Sequence, residues 1–211
     1  MNKDSSNRKR VRPLRARFKE AVAEGILDAA EQVISERGLA RASMSEIASA
    51  AGVAVGTVYN YFPDRDGLVS ALFRSRRARL VPAIAALARG RQDEAFEPRL
   101  RGLLRDVFEL LEQHRRFLRV AIETYASRTP PSPPPHSVLD QLVAALGNVF
   151  TAGADEGRLP TGHGERLARL AAGAMRGLLH HQLERGGPFA PEAGFLADVL
   201  LAGAPGVTAA P

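Results

Sequence analysis

Apolar residues recur at intervals of three, four or seven along nearly the whole chain, which is the spacing of one face of an α-helix. No stretch alternates apolar and polar residues with period two, so the pattern predicts no sheet. The length of 211 residues allows one large domain or two smaller ones. The sequence therefore predicts an all-α protein of about nine helices.

Glycine and proline residues separate the predicted helices, because glycine ends helices and proline cannot continue them. Pro82 lies inside the fourth predicted helix and is expected to kink it or to mark a break. The Pro-rich stretch 129–135 predicts polyproline II or a disordered connection. The predicted helices span residues 17–37, 44–51, 55–61, 64–88, 97–114, 116–128, 137–157, 163–185 and 191–202.

Composition excludes several classes of protein. There is no cysteine, so disulfides, thiolate zinc sites, iron–sulfur clusters and cysteine nucleophiles are excluded. Neither a long apolar run nor an apolar signal segment is present, which predicts a cytoplasmic location and no membrane span. His180, His181 and Glu184 stand at helical spacing but lack a third clear ligand, so a metal site is not predicted. With no catalytic set and no cofactor motif, the chain is not expected to be an enzyme.

The net charge of +6 lies entirely at the N-terminus. Residues 1–20 carry eight Lys or Arg and two acids, whereas the remaining residues carry 21 of each sign. A basic arm on a neutral body indicates binding to a polyanion, first nucleic acid and second an anionic membrane surface. The alternative is a solvated tail with no partner.

The segment from Ile26 to Phe73 has the pattern of a helix-turn-helix. Ser43 followed by Glu46 is a capping box at the start of a short helix. Gly52 permits the left-handed backbone of the tight turn that follows. Pro63 then prevents the next helix, which starts near Val55, from continuing. We predict two short helices closed by the longer first and fourth helices.

The second short helix carries residues that are unusual on a solvated face. Gly56 costs a helix roughly 1 kcal/mol relative to alanine, which is explained if a partner approaches the backbone. Tyr59 and Tyr61 are two of only three tyrosines in the chain. Hydroxyl and amide groups reach phosphates and base edges, and Asn60 is able to pair with adenine in the major groove. The pattern therefore favours DNA as the partner.

The same segment resembles the DNA-binding domain of the tetracycline-repressor (TetR) family of bacterial regulators. The resemblance covers about a quarter of the chain and implies a transcriptional regulator, most often a repressor, that binds a palindromic operator as a homodimer. It divides the chain into a basic arm (1–16), a helix-turn-helix domain (17–63) and a helical regulatory domain (64–211). The matching residues are Ile26, Leu27, Ala30, Arg37, Gly38, Ser43, Glu46, Ile47, Ala48, Ala51, Gly52, Val53, Gly56, Thr57, Val58, Tyr59, Tyr61, Phe62, Arg65 and Leu68.

The resemblance also implies roles for individual residues. Tyr59 and Tyr61 contact phosphates, with Tyr59 also near base edges, while Ser43 caps its helix and donates to a phosphate. Arg65 stands where the family often has a phosphate-binding lysine. The bases are faced by Val55, Gly56, Thr57 and Asn60.

Two positions depart from the family's pattern. Ala54 stands where a capping serine is common, so the recognition helix lacks that cap. Val55 replaces a residue that is often polar or basic, and its apolar side chain is suited to a thymine methyl group. Specificity is therefore expected to depend more on Asn60, Thr57 and DNA shape. Residues 8–17 of the arm are expected to lie along the DNA backbone or to enter a minor groove.

The resemblance implies that the last two helices join two chains. Gly173 and Gly177 allow close approach of two helix backbones, and Phe195, Leu196, Val199 and Leu200 supply an apolar surface. A small-molecule effector is implied as well, and the candidate ligand-binding residues are Phe108, Leu111, Phe117, Glu123, Tyr125, Phe150 and Met175.

The alternative is control by a protein partner. An internal cavity would favour a small-molecule effector, whereas a solid core with an exposed apolar patch would favour the protein partner.

Overall fold

The computed structural model describes residues 14–127 and 137–203; for Glu123 and residues 125–127 it describes the backbone alone. These residues form nine helices and no strand, which confirms the predicted all-α fold. The predictions for residues 1–13 and for the Pro-rich stretch lie outside the described residues. The helices are α1 (Leu14–Arg37), α2 (Met44–Ala50), α3 (Val55–Tyr61), α4 (Arg65–Arg89), α5 (Phe96–Gln113), α6 (Arg115–Ser127), α7 (Val138–Asp155), α8 (Gly164–Arg185) and α9 (Ala190–Gly203).

The start of α1 lies three residues before its predicted position, and the other helix bounds agree with the prediction within two residues. α1 begins at Leu14 instead of Arg17, so the last residues assigned to the arm are helical. Leucine, arginine and alanine are strong helix formers, and nothing local stops the helix at Arg17. α4 continues through Pro82 to Arg89 and is not broken there.

The chain divides into two compact units between Leu72 and Phe73, within the length of α4. The boundary therefore falls nine residues later than the position predicted from the sequence, between residues 63 and 64. The first two turns of α4 contribute Leu68 and Leu72 to the buried residues of the N-terminal unit. No helix among the described residues is long and apolar enough to span a membrane.

The core of the N-terminal unit is small and comes from all of its helices. Every member is at most 8% exposed. Because α2 and α3 are each only seven residues long, they depend on this shared core for their helical structure. The main members are Ile26, Ala30 and Ile34 of α1, Ile47 and Ala48 of α2, Val58 of α3, and Phe62, Leu68 and Leu72.

The first eight residues of α1 do not belong to this core. We call Leu14–Ala21 the α1 extension. None of its residues is buried, and Leu14 and Phe18 are both strongly exposed. The first buried residue of the helix is Ile26. The extension is therefore a helical segment that contributes little apolar burial to its own unit.

The C-terminal unit is built around α5, α7, α8 and α9. Phe96, at the start of α5, is 3% exposed, and its ring centroid lies 6.2 Å from that of Phe150 on α7. A Cβ atom at Gly153 would lie 2.6 Å from the Phe96 ring, so this glycine lets the ring pack on the backbone of α7. The Glu156 carboxylate accepts the Phe96 backbone N–H at 3.0 and 3.1 Å. Phe96 thereby fixes α5 against α7.

A second polar cluster holds the connection between α8 and α9. The Glu112 carboxylate accepts the backbone N–H of Phe189 at 2.8 Å and two bonds from Arg115 at 2.6 and 3.1 Å. Hydrogen bonding from Arg115 and from that N–H lowers the pKa of Glu112. The Arg115 guanidinium also donates to the Gly187 carbonyl and lies 4.1 Å from the centroid of the Phe189 ring. These contacts join the α8–α9 connection to the α5–α6 junction.

Candidate nucleic-acid interface

α2 is held at its start by the predicted capping box. The Ser43 hydroxyl accepts the Glu46 backbone N–H at 3.2 Å, and the Glu46 carboxylate accepts the Ser43 backbone N–H at 3.0 Å. Arg37 forms an ion pair with the same carboxylate. The bonds from Ser43 lower the pKa of Glu46. The Ser43 hydroxyl also donates to Glu46 at 2.9 Å, so it must rotate before it donates to a phosphate.

The turn between α2 and α3 depends on Gly52. Its φ angle is 67°, in the left-handed region that glycine tolerates. The backbone N–H of Val53 then bonds back to the Ala48 carbonyl at 3.0 Å, which closes the turn. This geometry confirms the role that the sequence predicts for the glycine. The turn fixes the direction in which α3 leaves α2.

α3 is attached to the unit through one fully buried residue, Val58. Its N-cap is Ala54, and no side chain there caps the helix. Val55 is 39% exposed and Tyr59 is 49% exposed, one turn apart. The outward side of α3 is therefore available for contact with a partner.

The other predicted residues of α3 also lie on or near this surface. Gly56 and Asn60 are exposed, whereas Thr57 and Tyr61 are half-buried. A Cβ atom at Gly56 would meet nothing within 4 Å, so no contact within the described residues requires glycine there. Close approach of a partner to the backbone would account for the glycine.

One residue near this surface is not predicted from the sequence. The Lys19 ammonium of the α1 extension lies 5.9 Å from the centroid of the Tyr61 ring, within range of a cation–π contact. The Tyr61 ring also lies 6.4 Å from that of Phe62. In the sequence, Lys19 is distinguished only as one of the eight basic residues among residues 1–20. Because the two residues are far apart in the chain, their spacing gives no signal of the contact.

Arg65 occupies the first position of α4 and is half-buried. Asp64 precedes it and accepts the backbone N–H of Gly67 at 2.6 Å, as expected of a helix cap. The cap fixes where α4 begins and therefore the backbone position of Arg65.

In the C-terminal unit, α8 and α9 carry an exposed apolar surface. We call Leu170, Gly173, Gly177, Phe195 and Val199 the α8–α9 face. Phe195 is 58% exposed, and Cβ atoms at the two glycines would meet nothing within 4 Å. The two helices are joined by a hydrogen bond between Gln182 and Glu192.

The candidate ligand-binding residues lie elsewhere in that unit. Five of them are buried in the core: Phe108, Leu111, Phe117, Phe150 and Met175. The side chains of Glu123 and Tyr125 are outside the described part of the chain. Two grooves of this unit are lined by none of the five buried candidates. One is lined by Leu139, Asp140, Val143, Arg169, Gly173 and Arg176, and the other by Ala86, Leu87, Gly90, Arg91, Glu94 and Asp106.

Within the described ranges, no three His, Asp or Glu side chains are grouped as a metal site would require. His180 lies 3.6 Å from Glu184 on an exposed turn of α8. This pair is the ordinary neighbour contact of residues four apart on a helix.

Comparison with known proteins assigns the N-terminal unit to a family. Residues 26–72 match the model of the bacterial regulatory proteins of the tetR family. The chain is 38% identical over 92 residues to the uncharacterized HTH-type transcriptional regulator YvdT of Bacillus subtilis. That alignment covers 44% of this chain and 46% of the relative, so it spans less than half of either protein.

Similarity to solved structures extends over most of the chain. The fatty acid degradation regulator FadR from Bacillus halodurans superposes with a TM-score of 0.72 at 26% identity, over 86% of this chain and 95% of that one. The transcriptional regulator FadR from Bacillus subtilis, solved in complex with stearoyl-CoA, gives a TM-score of 0.69 at 22% identity. It covers 85% of this chain and 98% of that one, and this likeness concerns the fold alone.

Proposed function

The chain belongs to the tetR family of bacterial regulatory proteins, and from this premise we propose that it is a repressor of transcription in the bacterial cytoplasm. It binds a palindromic operator as a homodimer and leaves the DNA when an effector binds the C-terminal unit. The family resemblance supports a small molecule as the effector, whereas the packed core and the exposed α8–α9 face favour the alternative, a protein partner. The observation that carries the proposal is the outward surface of α3. Tyr59 and Asn60 are exposed there, while Val58 alone of this helix is fully buried.

The residues of α3 suit a DNA groove in both shape and chemistry. An α-helix fits the major groove, where Asn60 is able to make two hydrogen bonds to adenine. Tyr59 brings a hydroxyl for a phosphate or a base edge. Neither residue is needed for the core, because both are exposed. Selection for DNA binding explains an asparagine and a tyrosine here better than stability does.

The α8–α9 face supports the homodimer. Glycine inside a helix costs roughly 1 kcal/mol relative to alanine, and nothing in the described residues requires Gly173 or Gly177. A second copy packing closely on both glycines accounts for them, and it also covers the exposed Phe195. Two-fold symmetry then places the two α3 helices on half-sites about one DNA turn apart.

The test is fluorescence anisotropy with DNA taken from immediately upstream of the protein's own gene. We expect Tyr59→Ala and Asn60→Ala to weaken binding about tenfold or more, because each removes a contact worth about 1–3 kcal/mol in each protomer. Asn148→Ala is the matched control, since Asn148 is an exposed asparagine on α7. Wild-type binding that both variants of α3 leave unchanged would contradict the proposal.

The effector is tested in the same assay. Stearoyl-CoA is the first probe, because a protein of the same fold was solved with it. Its acyl chain requires the packed core around Phe108 and Phe150 to open, so binding has to favour a second conformation. Release of DNA by stearoyl-CoA, and not by CoA alone, would support a fatty-acyl effector. Retention of DNA at saturating concentrations of stearoyl-CoA would reject a fatty-acyl effector. The alternative, a protein partner, would then be sought as a protein that competes with dimerisation at the exposed α8–α9 face.

A further prediction concerns Val55 and one methyl group of the DNA. Deoxyuridine in place of thymidine removes only the 5-methyl group in the major groove and preserves base pairing. We expect one thymine, replaced in this way in a single half-site, to weaken wild-type binding about three- to fivefold, the effect of losing about one buried methyl group. Val55→Ala is expected to bind both DNAs equally. The prediction would be contradicted if each thymine of the operator were replaced in turn and no replacement weakened wild-type binding more than it weakened binding by Val55→Ala.

A further inference from the structure

The α1 extension is a basic helix that its own unit does not need for packing. Its eight residues include Arg15, Arg17 and Lys19 but only one acid, Glu20, and none of them is buried. The extension continues the 24-residue helix α1, so helix propensity is enough to form it. Its three basic side chains and one acid give two exposed turns a net charge of +2, which favours a polyanionic partner.

The contact between Lys19 and Tyr61 places one of these charges beside α3. The ammonium lies 5.9 Å from the ring centroid, and Tyr61 is the last residue of the recognition helix. A cation over the ring face both attracts the ring and restricts its orientation. Lys19 therefore lies next to Tyr61, for which the family resemblance implies a contact with a phosphate.

Arg15 belongs to the same side of the extension, and Arg17 does not. In an α-helix of 3.6 residues per turn, a residue four positions away is rotated by about 40°, and one two positions away by about 160°. Arg15 precedes Lys19 by one such turn, so both project toward the Tyr61 side. Arg17 carries the same charge on the opposite side of the helix.

We propose that Arg15 and Lys19 form a second phosphate-binding site, in which they hold the DNA backbone that flanks the groove occupied by α3. This inference rests on the proposed function. Lys19 donates to a phosphate oxygen and also positions the Tyr61 ring, while Arg15 reaches the adjacent phosphate. Ammonium and guanidinium groups contribute affinity here without reading sequence.

The salt dependence of operator binding tests the proposal. The plot of log K against log salt has a negative slope, and loss of one phosphate contact reduces the magnitude of that slope by about 0.9. Lys19→Met removes one contact from each protomer, so in a dimer it is expected to reduce the magnitude by about 1.8. Affinity at about 0.1 M salt is expected to fall on the order of tenfold, equally for specific and non-specific DNA. Arg15→Met should act in the same direction, and Lys19→Arg should restore the slope because it keeps the charge.

Arg89→Met is the control, since it removes the same charge from an exposed position at the end of α4, which the proposal does not place on DNA. Equal reductions of slope in Arg89→Met and Lys19→Met would overturn the proposal, because they would indicate a general charge effect. Asn60→Ala in the same series distinguishes the second phosphate-binding site from the proposed DNA binding by α3. Loss of affinity in Asn60→Ala together with an unchanged slope in Lys19→Met would overturn the second site and leave the proposed function standing.

A lipid surface is the other partner to which a basic helix with exposed Leu14 and Phe18 is suited. Vesicles containing phosphatidylglycerol provide the test. Vesicle binding that Lys19→Met abolishes, combined with an unchanged salt slope on DNA, would assign the extension to membranes and overturn the proposal. No vesicle binding, combined with the lowered slope, would support it.

Discussion

Replacement of Gly177 by leucine is expected to convert the proposed dimer to a monomer and to weaken binding to the proposed operator at least about a hundredfold. The linked half-sites of a dimer gain about 10²–10⁴ in avidity over a single site, and a monomer forfeits this gain. Gly177 lies on the exposed side of α8 with open space at its Cβ position. A leucine there keeps a second helix at a distance from the α8–α9 face.

The fold of the monomer should survive this change. Leucine is a better helix former than glycine by roughly 1 kcal/mol, and a Cβ atom at position 177 would meet nothing within 4 Å among the described residues. Light scattering after gel filtration gives the mass, and anisotropy on the operator gives the affinity. Gly25→Leu is the control, since Gly25 is an exposed glycine of α1 with the same open space. A Gly177→Leu protein that remains dimeric would show that the chains join through another surface.

Replacement of Phe96 by alanine is expected to lower the free energy of unfolding by about 3–5 kcal/mol, as for other buried phenylalanines. The ring packs on the backbone at Gly153 and near Phe150, and alanine leaves a cavity between α5 and α7. Typical domains have only about 5–15 kcal/mol of stability, so the loss is a large fraction of the total. The backbone bond to Glu156 does not require the ring and should persist.

Urea titration followed by circular dichroism measures this change, since the chain has no tryptophan for fluorescence. Phe18→Ala is the control, because Phe18 is 73% exposed. Its unfolding free energy should stay within about 0.5 kcal/mol of wild type. Equal unfolding midpoints for Phe96→Ala and wild type would show that α5 and α7 are held together by other contacts.

Local features of the chain are predictable because their causes lie within a few residues. The capping box needs Ser43 and Glu46 three residues apart, and the turn needs a glycine at position 52. The structure confirms both. The start of α1 is predicted less well, because apolar spacing becomes clear only after Phe18 while helix propensity continues back to Leu14.

Contacts between distant segments are not predictable from one sequence. Arg91 donates to Asp106 and to Glu94, and its guanidinium lies over Gly102, where a Cβ atom would be only 2.2 Å away. In the sequence Asp106 directly follows Arg105, and no spacing singles out Arg91 as its partner. Lys19 and Tyr61 are a second example. Such pairs follow from tertiary packing, whereas spacing reports only neighbours on one helix.

The attachment of α3 through Val58 has a consequence for how such a protein diverges. Positions 55, 56, 59 and 60 are exposed, so most substitutions there change stability by less than about 0.5 kcal/mol. Under the proposed function, a lineage is therefore able to exchange these side chains, and with them the operator it reads, without first acquiring compensating mutations. For the same reason, a library randomised at these four positions should consist mostly of folded proteins, among which new operator preferences are selected directly.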